Sequence, residues 1–149
     1  MKKLFILALL CTLAFAEDSY SQSEFKVITV VESIVPGGLG RSRLIENTSE
    51  VDIDEFTTER TDGKKSDQGS IKRKDAKVDE FEESKLLNFY SLTGINFQNI
   101  ASNDALITSK INQMLSDGWD LVFVTSAAES DAGKDDGDGI YITRLFFKR

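Results

Sequence analysis

The sequence predicts an α+β domain: a mostly antiparallel β-sheet of about four strands with one helix packed on one face, plus a charged, partly disordered insertion. Three observations predict it. Residues 25–35 are dense in β-branched side chains, which favour a pleated strand. Residues 106–115 carry a single helical stripe of apolar positions. Residues 119–125 and 140–147 are apolar runs on either side of a Gly- and Asp-rich loop, the pattern of a hairpin.

Taken in order, Phe25-Lys26-Val27-Ile28-Thr29-Val30-Val31-Glu32-Ser33-Ile34-Val35 reads as a long central strand. It stops at Pro36-Gly37-Gly38-Leu39-Gly40, where proline lacks a donor and glycine permits positive φ. Residues 41–46 are a return arm whose apolar contributions are Leu44 and Ile45. Residues 47–84 change character. Charge dominates there, and Val51, Ile53, Phe56, Ile71, Val78 and Phe81 are too sparse for a core. This is expected to be an exposed insertion with at most a short hairpin.

Lys85-Leu86-Leu87-Asn88-Phe89-Tyr90-Ser91-Leu92 is the next expected strand, and residues 95–100 a linker. Ser102 or Asn103 is expected to cap a helix whose stripe is Leu106, Ile107, Ile111, Met114 and Leu115. Gly118 suits the C′ position beyond its end. Burying each stripe residue is worth roughly 1.5–3 kcal/mol before entropy. In the strand that follows, period two puts Trp119, Leu121 and Phe123 on one face. Residues 140–147 close the sheet as its hairpin partner.

The first sixteen residues read as an export signal: Lys2 and Lys3, an apolar run over 4–13, then Ala14-Phe15-Ala16 before Glu17-Asp18. The run falls short of the roughly 20 apolar residues a spanning helix needs. The expectation is an exported chain, periplasmic or extracellular, with no membrane span after cleavage, a polar lead-in over 17–23 and one domain over 24–149. A lipid anchor on Cys11 would want a small residue before it, where Leu10 stands.

Cleavage after Ala16 removes Cys11, the single cysteine, and the chain contains no histidine. Histidine and thiol catalysis, and most zinc, copper and haem sites, go with them. No cofactor is expected. Loss of Lys2 and Lys3 takes the formal charge from −7 to −9. Nucleic acid is therefore not an expected partner, because binding phosphates needs a basic face.

The opening Phe25-Lys26-Val27-Ile28, the stretch Ile111-Asn112-Gln113-Met114-Leu115-Ser116-Asp117-Gly118-Trp119-Asp120-Leu121-Val122 and the closing Tyr141-Ile142-Thr143-Arg144-Leu145-Phe146-Phe147-Lys148-Arg149 together carry a resemblance. They resemble DUF4177, a family of small bacterial domains of unknown function with a "YKV" strand, a helix ending in "L-x-x-x-G-W-E-L-V" and a last strand near "F-K-R". Here Asp120 stands where that family usually has glutamate, and a large insertion precedes the helix. The resemblance covers about sixty residues, implies a fold and supplies no catalytic residue. The leader and residues 30–45 also resemble secreted proteins of the Bacteroidetes kind.

Two loops carry site candidates. Gly37, Gly38 and Gly40 expose backbone N–H groups beside Arg41 and Arg43, a pattern able to hold an anion; the plainer alternative is a tight turn with solvated arginines. Asp131, Asp135, Asp136 and Asp138, after Glu129, resemble oxygen ligands for a hard cation. Their spacing departs from the EF-hand and Lys134 intrudes, so a hairpin loop is the simpler reading. Trp119 is read as core rather than a stacking platform. Asp79, Glu80, Glu82 and Glu83 are read as a solvated face rather than paired catalytic carboxylates. Ser109-Lys110 lacks the S-x-x-K spacing of a Ser-Lys dyad.

The resulting expectation is a non-enzymatic exported binding or interaction module. Its partner would be another exported or cell-envelope protein, met at the sheet edge or the charged insertion. The alternatives are a carrier of anions or small ligands using the Gly/Arg turn, and a hydrolase working without histidine or cysteine.

Overall fold

The structure, a computed structural model, describes residues 23–34, 42–91, 93–129 and 139–149. Within them the chain is α+β, with one helix and a sheet of five strands joined only by antiparallel pairs. The strands are β1 (Phe25–Ser33), β2 (Arg43–Asn47), β3 (Phe81–Lys85), β6 (Asp120–Ala128) and β7 (Ile140–Lys148). Their order is β3-β2-β1-β7-β6, which puts β1 at the centre as its composition predicts. A separate two-stranded ribbon joins β4 (Tyr90–Ser91) to β5 (Gly94–Ile95). The helix α1 spans Phe97–Ser116.

Period two assigns the faces. On β1, Ile28 and Val30 point toward α1 and are buried, whereas Phe25 and Val27 point away and are exposed. The register carries this across the sheet: Val30 lies opposite Leu44 on β2, and Ile28 opposite Leu145 on β7. With Leu86, Met114, Trp119 and Phe147 these residues form the core, and Ile107 and Ile111 of α1 pack against it. The helix covers one face only.

Three sequence expectations are corrected. First, the segment after the insertion pairs earlier than its apolar density suggests. The sheet strand is Phe81–Lys85, every residue of it exposed; within residues 85–92 only Lys85 belongs to it, and Tyr90–Ser91 pair separately in the small ribbon. An edge strand is held by backbone pairing to β2 and needs no apolar alternation. The apolar residues that follow serve otherwise, with Leu86 buried under the helix.

Second, the helix is capped six residues earlier than Ser102. Its N-cap is Asn96, whose side chain accepts from the Asn99 N–H at 3.2 Å. Asn103 is then an interior position and fully buried. The core-facing stripe runs Asn103, Ile107, Ile111 and Met114, with Asn103 and Met114 buried and the two isoleucines partly so, while Leu106 and Leu115 flank it and are exposed. The C-terminal expectation stands. Gly118, at φ +84°, lets its own N–H reach Leu115 O and the Trp119 N–H reach Met114 O, a Schellman closure.

Third, a β-bulge interrupts β6 between Leu121 and Phe123. Leu121 lies opposite Phe147 and Phe123 opposite Phe146, so they point to different faces. Trp119 is buried, as read, but Phe123 is 60 % exposed on the far side.

Residues 48–80 are almost all exposed and hold two single 3-10 turns, Ile53–Phe56 and Gln68–Ser70. The Asp62 carboxylate accepts from the Lys64 and Lys65 N–H groups, and these bonds lower its pKa.

Candidate functional site

The sequence candidates are dispersed or already engaged. Gly37, Gly38, Gly40 and Arg41 lie outside the described residues, as do Asp131, Asp135, Asp136 and Asp138. Arg43 is described, and its guanidinium donates to the Ser42 carbonyl at 2.9 Å and faces Glu83 at 3.7 Å. Glu82 and Glu83, adjacent on β3, point to opposite faces of the sheet and cannot work as a pair. Lys110 is ion-paired with Glu46 and is not a base for Ser109.

Two polar clusters between α1 and the sheet, which sequence reasoning missed, are structural. In one, Glu46 is buried on β2 and meets Lys26 at 2.8 Å and Lys110 of α1. Burial pushes its pKa up, but hydrogen bonds from Lys110 and Lys26 outweigh that and leave it lowered. In the other, Asn103 donates to Glu32 at 3.0 Å, while the Ser42 hydroxyl accepts from Ser33 N–H and donates to Asn88. Burial raises the pKa of Glu32, against the Asn103 bond, and the nearby Asp104 adds to the rise. Among the described residues no buried side-chain nitrogen or oxygen lacks a partner. Nothing in these clusters is left over to bind a ligand.

A hollow of about 550 Å³ within the insertion is lined by Glu50, Asp52, Glu55, Asp75 and Asp79 together with Lys77. Among the described residues no three His, Cys, Asp or Glu side chains gather closely enough to hold a metal ion.

What remains is the open side of the sheet. The strand β6 is an edge, and all nine of its residues are exposed. Its sequence, Asp-Leu-Val-Phe-Val-Thr-Ser-Ala-Ala, carries one charge, at its first position, and neither proline nor lysine. The opposite edge, β3, carries Glu82, Glu83 and Lys85, the kind of charges that deter strand addition. No family model, curated protein or solved structure matches the chain.

The uncovered face adjoins that edge. Phe123 packs on Phe146 with ring centroids 5.8 Å apart and planes inclined at 52°. Phe25 and Val27 continue the patch along β1, one strand further in. At the other end of the same face Ile45, Asn47, Val78 and Phe81 shape an apolar dimple of about 290 Å³. Exposed aromatic and aliphatic side chains beside an edge that pairs with no further strand among the described residues are chemistry for holding another chain. No helix among the described residues is long and apolar enough to cross a membrane.

Proposed function

We propose that the protein is an exported, non-enzymatic interaction module that takes an extended segment of a partner along β6. One observation carries the reading: the longest edge of the sheet is exposed over nine residues and almost free of charge, while the other edge is charged. The unpaired N–H and C=O groups of such an edge are satisfied by another strand, and the adjacent apolar face supplies pockets for its side chains. The leader-like residues 1–16 support an exported location and an exported or cell-envelope partner. The stretches that resemble DUF4177 fall on β1, the end of α1 with the start of β6, and β7. That kinship is offered for the scaffold and β6, not for the insertion.

The test is site-specific photo-crosslinking in the producing cell. A crosslinker placed at Val122 or Ser126 is expected to capture discrete adducts that a crosslinker at Glu83 does not. Equal capture from both edges, or none from β6, overturns the reading.

A further inference from the structure

We propose that the segment β6 takes is the β6 of a second copy, paired antiparallel about a two-fold axis at Thr125, so that two five-stranded sheets become one. This rests on the reading of β6 as a docking edge and names its occupant.

Charge argues for it first. The chain is strongly acidic, with a formal charge of −7, so two copies repel wherever their acidic surfaces meet. Edge-to-edge contact through β3 about its middle residue would set Glu83 against Glu83 of the other copy. Contact through β6 about Thr125 pairs residues 122–128, none of them charged, and leaves Asp120 and Glu129 at the two ends beyond that stretch. Of the two edges, β6 is the one whose middle residues carry no charge at all.

Alternation agrees. Beyond the bulge, Phe123, Thr125 and Ala127 share the far face, and Val124, Ser126 and Ala128 the helix face. Antiparallel pairing about Thr125 matches Phe123 with the second copy's Ala127, and Val124 with its Ser126. Each pair is one large and one small side chain on the same face, which the pleat accommodates. The axis stands perpendicular to the sheet and leaves both copies of α1 on one side. Each helix is anchored over its own β1 and β2 through Asn103–Glu32 and Lys110–Glu46, away from the seam. On the far side the Phe25, Val27, Phe123 and Phe146 patches of the two copies adjoin. Such an isologous contact closes as a dimer and does not propagate through β3.

Sedimentation velocity of the purified protein over about 1–100 µM tests it. A concentration-dependent dimer is expected. Thr125→Lys and Thr125→Glu are each expected to be monomeric, since like charges then face each other across the axis. Mixing the two variants is expected to restore the dimer. Glu83→Lys, on the other edge, is expected to leave it intact, with circular dichroism confirming the fold of every variant. A wild-type monomer at the top concentration, a dimer that survives Thr125→Lys, or a mixture that stays monomeric overturns the proposal. A monomer that still gives β6-specific adducts to a different protein defeats self-pairing alone. A monomer without such adducts defeats the interaction-module reading as well.

Discussion

The Asn103 side chain pairs with both backbone groups of Leu87: its amide donates to the Leu87 carbonyl and its oxygen accepts the Leu87 N–H, each at 2.8 Å. One side chain on a helix thus does for residue 87 what a neighbouring strand would do. Leu87 lies just past β3, where the chain leaves the sheet and would otherwise strand these groups beside the core. Asn103→Leu keeps much of the volume and removes both partners. The expected loss is about 2–4 kcal/mol, measured by urea denaturation, with hydrogen exchange fastest to rise at Leu87.

Glu46 should make the protein acid-sensitive. Its pKa is lowered in the folded state, so its contribution is present above the ordinary carboxylate pKa of about 4.3 and is lost as pH falls through the folded value. Glu46→Gln is expected to cost about 1.5–3 kcal/mol at pH 7, because it removes charge-assisted bonds from Lys26 and Lys110. The gap between variant and wild type should close in unfolding curves taken at progressively lower pH.

Glu32, also on the helix side of β1, should behave with the opposite sign. Its folded pKa is raised by burial, so ionisation opposes folding, and the penalty appears as pH rises through the folded value. Glu32→Gln retains an acceptor for Asn103 and carries no charge. Stability at pH 7 should rise, by on the order of 0.5 kcal/mol because the group is half-exposed and screened. The gain should vanish below the ordinary carboxylate range, in the same pH series.

Trp119 and Phe123 separate the core from the open face. Trp119 is 4 % exposed, with Lys26 and Arg149 over its ring at 5.3 and 4.5 Å. Trp119→Ala should cost about 3–5 kcal/mol. Phe123→Ala should stay within about 1 kcal/mol at concentrations too low for two copies to pair, since the ring is mostly solvated in a single copy. Denaturation midpoints of the two variants check the contrast directly.

The scaffold was readable where local chemistry and burial coincide. The β-branched run of β1 is central, Gly118 ends the helix, and β7 pairs with β6 as the flanking apolar runs imply. Reading failed where backbone pairing or a buried polar group replaced apolar pattern. Phe81–Lys85 looks like solvent-facing charge and is a strand, because β2 supplies its bonds. Asn103 looks like a helix cap and is an interior partner for Leu87. The period of β6 breaks at Val122, and no residue type there announces a bulge. The edge was named from the sequence as one of two possible meeting places, the insertion being the other. That β6 and not β3 is the bare one follows from strand order, which local pattern does not encode.

The pairing of β1 with β7 bears on how the molecule reaches its shape. Glu24 and Arg149, 125 positions apart, exchange backbone hydrogen bonds in both directions, and the central seam runs inward from them. No local hairpin can stand in for that seam, so β1-β2-β3 and β6-β7 cannot join into one sheet until β7 has been synthesised. High contact order of this kind slows folding. If the chain is exported as proposed, such a delay would leave it time to thread a translocation pore before collapsing.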